Sequence, residues 1–283
     1  MADSNIVAPL NTDLLMCPGC TSPLEGVNAG LLCKGCGTIY RREAGKIFFS
    51  EDYFDIDDWA TKSTGFDLLG RGRGDYRRID KIGGPRIRDL PSYLKVDGVA
   101  LNLGGGADDY EGYVNIDLGR YPNVDIVSSL ERIPYKDSSV DLIVSNSVLE
   151  HIYGYETVIS EIHRVLRPGG YFYLCVPSVC ARHHAYDYHR WTVPGLLRLL
   201  ETFEHVEHGS CRGVAYVVDT LLEGLIVNRT RPGLIREVLR RAWLFISRPL
   251  YWIEADGSPE YEAMSQTIYA IVRKRPEGTP RID

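Results

Sequence analysis

The chain of 283 residues is poor in three things, and each shortage weighs against a class of protein. No stretch comes near the ~18 uninterrupted apolar residues of a membrane-spanning helix, so the expectation is a soluble chain with no transmembrane segment. Positive charge is in deficit, with 32 Lys and Arg against 38 Asp and Glu and a net charge of −6. Domains that bind nucleic acid usually carry a clear positive excess, which weighs against that partner without removing it. The opening MADSNIVAPLNTDLL lacks the basic start, apolar middle and small-residue site of a secretory leader, so the expected location is cytoplasmic.

What is present is an ordinary globular balance, 44% apolar and 25% charged residues. The length is more than one typical core needs, which favours one main domain plus a small appendage. Charge is unevenly spread. Eight basic residues (Arg71, Arg73, Arg77, Arg78, Lys81, Arg86, Arg88 and Lys95) fall between 71 and 95 against three aspartates, and six arginines between Arg229 and Arg248. Two readings stay open: a solvated face, or a neighbour of a phosphate-bearing substrate or acidic headgroup.

Four of the seven cysteines stand as Cys17-Pro-Gly-Cys20 and Cys33-Lys-Gly-Cys36, two pairs separated by twelve residues. Each pair makes a tight turn that aims two thiolates at one centre, and two such turns supply the four soft ligands of tetrahedral Zn2+. Four thiolates leave no open position, so the metal is structural. Disulfides are the alternative, disfavoured because nothing places the chain in an oxidising compartment. A module of about residues 12–50 buries too little apolar surface to fold unaided, so metal binding and folding are coupled. Its cysteines, with Tyr40, Gly45 and Phe48, resemble the Trm112-like zinc ribbons that activate methyltransferases or precede enzymes. Cys175, Cys180 and Cys211 lie in apolar or mixed stretches and are expected to be buried thiols.

Residues 51–95 begin acidic (EDYFDIDDWA), turn glycine- and arginine-rich, and read as a linker or lid that orders over a binding site. From 96 to 283 strand-like runs (VALNL, YVNIDL, VDIVSS, VDLIVSN, GYFYLCVP) alternate with turns and a helix over YETVISEIHRVL. This predicts an α/β domain on a mostly parallel sheet, whose ligands bind beyond the carboxyl ends of the strands. LNLGGG brings a strand into glycines that let backbone approach a ligand. Asp117 closes the next strand, where a carboxylate can accept the hydroxyls of a ribose. SVDLIVSNSVLEHI ends a third strand in polar residues, and in HRVLRPGG the Pro-Gly-Gly is expected to turn helix into strand.

These segments resemble the class I S-adenosylmethionine-dependent methyltransferases of type 11. The resemblance covers about residues 97–200 and the final strand at QTIYAIVRK, which implies a Rossmann-like sheet with an antiparallel last strand. Carried over, Leu103, Gly104, Gly105 and Gly106 lie against the methionine part of the cofactor. Asp117 and Leu118 hold the ribose, Ser129 and Leu130 the adenine, and Asn146, Ser147 and His151 line the pocket. The chain departs from the family at Asp108, where the third glycine usually stands, and at Ser129, where an acid usually meets the adenine. Only ten residues separate Gly106 from Asp117, so the first helix is expected to shrink to a turn. A nicotinamide-dependent dehydrogenase is disfavoured by the lack of Gly-x-Gly-x-x-Gly leading into a helix.

The loop SVCARHHAYDYHRWT follows a strand at the cofactor edge, so His183, His184 and His189 are candidate bases and Asp187, Tyr188 and Arg190 candidate acceptor contacts. Metal binding by these histidines is an open alternative, as is a purely structural loop. An insertion over about 212–262 contains an arginine-rich amphipathic stretch with Trp243, Phe245, Tyr251 and Trp252. It reads as part of an acceptor pocket, as a core or homodimer helix, or as a surface facing lipid-linked substrates. The leading expectation is O-methylation of a small polar acceptor such as a sugar, glycolipid or natural product. The alternatives are methylation of ribosomal RNA, and a non-catalytic zinc-ribbon interaction protein on a methyltransferase scaffold.

Overall fold

The computed structural model describes residues 10–62, 85–214, 217–218, 221–222, 225–226, 233–247 and 264–276. The runs rich in Val, Ile and Leu pair into one sheet. Its strands are β1 (Leu24–Val27), β2 (Gly30–Cys33), β3 (Ile39–Glu43), β4 (Lys46–Phe48), β5 (Ala100–Leu103), β6 (Tyr113–Asp117), β7 (Ile126–Val127), β8 (Val140–Asn146), β9 (Leu166–Pro177), β10 (Glu204–Arg212) and β11 (Thr267–Arg273). They lie in the order β1-β2-β3-β4-β7-β6-β5-β8-β9-β11-β10. Neighbours from β4 through β9 are parallel, and β11 enters antiparallel between β9 and β10. From β5 the chain moves outward to β6 and β7, then returns to β8 on the other side of β5. That reversal opens a crevice at the carboxyl ends of β5 and β8, the place where such sheets bind ligands.

Strands β5 and β6 are buried along their whole length, as a sheet covered on both faces requires. Alternation sends Leu101, Leu103 and Ile143 to one face and Ala100, Leu142 and Val144 to the other, each in its own apolar cluster. Helix α1 spans Ile56–Thr61, α2 Leu90–Leu94, α3 Tyr155–Val165, α4 Val193–Leu199 and α5 Leu234–Ile246. Val158, Ile159, Ile162 and Val165 recur at helical spacing and seal α3 against the first face. Between β5 and β6 there are only turns, as the short spacing predicts.

Some expectations need correcting. Pro168, Gly169 and Gly170 do not join helix to strand: α3 already ends at Val165, and Leu166 starts β9 opposite Val140. The residue before a proline avoids helical backbone, so Arg167 is extended and the turn is absorbed as an irregularity inside β9. Of the three cysteines outside the N-terminal module, only Cys175 is buried; Cys180 and Cys211 are half-buried.

The N-terminal module is two antiparallel hairpins, β1–β2 and β3–β4. It joins the large sheet edge to edge: β4 pairs in parallel with β7, Ile47 opposite Ile126 and Phe48 opposite Val127. The Lys46 ammonium clamps the seam by donating to the carbonyls of Pro122 and Val124. Helix α5 leaves Leu234, Ile235, Val238, Phe245 and Ile246 exposed, and no described helix is long and apolar enough to cross a membrane. The arginines and lysine between 71 and 81, and Tyr251 and Trp252, lie outside the described residues.

Candidate cofactor and acceptor site

The glycine run follows β5 into the crevice. Gly104 and Gly106 take φ of +68° and +55°, in the left-handed region that side chains disfavour. A Cβ on Gly104 would stand 2.5 Å from Val148, and one on Gly105 would stand 2.2 Å from the Asn102 amide. Asp117 closes β6 with only 6% of its surface exposed. One carboxylate oxygen accepts the Gly106 N–H at 2.9 Å and the other the Gly119 N–H at 2.7 Å. Burial pushes this carboxyl above its ordinary value, and the two N–H donors oppose that shift. Each oxygen keeps a lone pair for a hydroxyl donor.

On the other side of the switch point Asn146 and Ser147 emerge exposed at the end of β8, Ser147 with a φ of +56°. Leu130 is buried and Ser129 half-buried after β7, with the Ser129 hydroxyl accepting the Glu131 N–H. Leu103 is fully buried in the core, so its side chain cannot meet a ligand in the crevice. The structure therefore gathers the glycines, Asp117, Leu118, Asn146 and Ser147 at one edge.

Over this edge runs the acidic segment after β4. Phe54 bridges to Gly119, whose missing side chain makes room, since a Cβ there would sit 2.5 Å from the ring. Helix α1 follows, and Trp59 stacks on His184 with ring centroids 4.0 Å apart. The Lys62 carbonyl then accepts the Ala185 N–H. Residues 54–62 thus reach from the end of β6 to the loop after β9, with β5 and β8 between them in the sheet.

The three histidines proposed as bases occupy different settings. His184 is buried, and both its nitrogens are engaged: Nδ1 accepts the Tyr186 N–H and Nε2 lies 3.1 Å from the Trp59 carbonyl. His189 is half-buried among Tyr153, Tyr155, Tyr188 and Trp191. Its Nε2 lies 3.2 Å from the Tyr153 carbonyl. A carbonyl only accepts, so Nε2 carries the proton and Nδ1 the lone pair. His183 faces His151, with the two Nε2 atoms 3.3 Å apart.

Asp187 and Arg190 brace the loop itself. The guanidinium makes a two-pronged bond to the carboxylate and also donates to the Cys180 and Ala181 carbonyls. Burial would raise Asp187, but Arg190 and the His183 N–H outweigh it and hold the carboxyl below its ordinary value. Tyr188 is exposed. Sequence reasoning did not single out Trp59 or Phe54, which carry no local motif and reach this edge only through the fold.

The four N-terminal thiols converge. Cys20 and Cys33 Sγ are 3.4 Å apart, and Cys17 and Cys36 Sγ 3.8 Å. The N–H groups of Gly35 and Cys36 point at Cys33 Sγ.

Residues 106–174 match the family profile described as Methyltransferase domain. The chain is 42% identical over 74 residues to a Mycolicibacterium smegmatis protein named "Probable S-adenosylmethionine-dependent methyltransferase", covering 26% of this chain and 29% of the relative. It is 27% identical over 138 residues to a demethylmenaquinone methyltransferase of Clavibacter sepedonicus, covering 44% and 56%. The chain thus spans less than two thirds of the length of the curated relatives it matches. Among solved structures it is similar to the Burkholderia thailandensis 1,6-didemethyltoxoflavin-N1-methyltransferase, at 17% identity and a TM-score of 0.46 over 78% of this chain and 87% of that one. Over residues 106–174 the α/β fold is methyltransferase-like.

Proposed function

We propose that the chain transfers a methyl group from S-adenosylmethionine to a hydroxyl oxygen of a small polar acceptor. The observation that carries this reading is the pairing of the left-handed Gly104–Gly106 loop with the buried Asp117 carboxylate across the switch-point crevice. When bound, the sulfonium cofactor supplies an electrophilic methyl group. The chain's own part is to cradle the methionine end on backbone at the glycines, accept ribose hydroxyls at Asp117, and exclude water beneath residues 54–62. His189 takes the acceptor's proton, since its Nδ1 holds a lone pair on the loop after β9. His184 is not assigned that role because backbone groups hold both its nitrogens. The sulfur cluster supports a structural Zn2+: tetrahedral Zn–S bonds of about 2.3 Å place sulfurs about 3.8 Å apart, and the cysteines stand close to that spacing.

Titration calorimetry with S-adenosylmethionine and S-adenosylhomocysteine tests the cofactor. Saturable binding to the full chain is expected; no heat at high micromolar ligand overturns the reading. Turnover at the normal rate by a His189→Gln enzyme would remove that residue as the base.

A further inference from the structure

Glu150 has no exposed surface, and neither carboxyl oxygen has a hydrogen-bond partner outside its own residue among the described residues. A carboxyl so placed is costly unless something else satisfies it. It lies in the short turn after β8, next to His151, whose Nε2 is 3.9 Å from Glu150 Oε1. The loop after β9 brings His183 Nε2 to within 3.3 Å of the same nitrogen. The three ligand-type atoms all lie within 4.8 Å of one another.

The orientation of each ring has a visible cause. His151 Nδ1 lies 2.9 Å from the Tyr186 carbonyl, which only accepts, so Nδ1 carries the proton and Nε2 presents its lone pair inward. His183 is held through its backbone N–H, which donates to the Asp187 carboxylate that Arg190 fixes in place; its Nδ1 lies 3.1 Å from the same carboxylate without hydrogen-bond alignment. The His151 arrangement, one ring nitrogen turned to a carbonyl while the other faces a centre, is the usual support for a metal-ligating histidine. Nitrogens bound at about 2.05 Å to one tetrahedral ion stand about 3.3 Å apart, the separation seen here.

We propose that Glu150, His151 and His183 form a binding site for a divalent transition-metal cation, with a further coordination position left for water or an acceptor oxygen. One carboxylate and two imidazoles suit ions of intermediate softness such as zinc, iron(II) or cobalt(II). The site stands apart from the four thiols and does not depend on methyl transfer, because its ligands are argued from their own geometry. A metal-free account requires a proton between the two imidazoles and leaves Glu150 without a partner.

Cobalt(II) loading of the full chain tests the proposal, because thiolate and imidazole sites differ spectroscopically. The wild-type protein, stripped and reloaded, is compared with Glu150→Gln and with Glu150→Gln/His183→Gln, using bound cobalt per chain and absorption. The expected result is that the double variant binds one cobalt fewer than wild type, losing ligand-field bands while the thiolate-to-cobalt charge-transfer band keeps its intensity. Equal cobalt content in wild type and both variants overturns the proposal. So does a wild-type spectrum whose ligand-field bands all belong to thiolate-bound cobalt. Matching near-ultraviolet circular dichroism confirms that the variants are folded, and the wild-type spectrum alone decides the question if they are not.

Discussion

The two ends of the sheet reach order by different means. In the parallel centre β5, β6 and most of β8 are buried, and two apolar clusters sandwich them. In the N-terminal module β1 is mostly exposed and β3 buries only Tyr40, while β2 and β4 turn Leu31, Ile47 and Phe48 inward, Leu31 and Ile47 into the central cluster itself. On the proposed zinc reading, four sulfurs add there a source of stability that the centre does not use. The lesson is that a continuous sheet need not have a uniform source of stability.

The largest expected effect separates the halves. On the proposed reading of the thiols as a zinc site, stripping the metal removes a contribution that is about 10–16 kcal/mol in small zinc modules. Hydrogen exchange followed with and without chelator should show residues 24–48 losing protection while 100–103 and 140–146 keep theirs. Equal loss in both regions would break the distinction. Next, Ile143→Ala in the centre should cost about 2–5 kcal/mol by denaturant titration, with the same loss in chelator as in zinc. A metal-dependent loss would mean that the halves fold as one unit.

A smaller effect concerns the ligand edge of the centre. Asp117→Ala should weaken S-adenosylmethionine about 10- to 100-fold, the scale of losing bonds to a charged acceptor. The wild-type affinity should depend on pH in one direction. Asp117 has a raised value, so the carboxylate needed for the ribose is present above that value and is lost as pH falls through it. The decline should therefore start at a higher pH than an exposed aspartate would give, as calorimetry across about pH 4 to 8 can check. The smallest effect lies at the seam. Lys46→Met removes two bonds to carbonyls and should cost about 1–2 kcal/mol, read as a lower midpoint for the module and little change in the centre.

Much of the centre was legible because local pattern and tertiary role coincide there. The β-branched runs, the glycines after LNL, Asp117 and the single amphipathic helix are each set by residues close in sequence. The cysteine pairs were legible for the same reason, since each turn holds its own two ligands. What was not legible depends on long-range meetings. Nothing near Trp59 announces His184, which is 125 residues away and stacked on it. Glu150 and His183 are separated by a helix and a long strand, and no spacing rule joins them. The run VDIVSS, Val124 to Ser129, reads as one strand, yet only Ile126 and Val127 form the ladder, because Asp125 bends back to bond the Asn115 N–H. The loop's aspartate and arginine were visible as a pair but not as a brace, because sequence cannot show that their charges are spent on each other.

The parallel pairing of β4 with β7 has a further meaning. Without β4, the two-residue β7 would be the outer border of the parallel sheet, offering unpaired amide and carbonyl groups to any extended chain. The far border, β10, is irregular at His205–Glu207 and Ser210–Arg212, which blunts it. The N-terminal module therefore acts as a hem: if it comes loose, what is uncovered is a template for self-association, and aggregation rather than simple inactivation is how that loss would first be noticed.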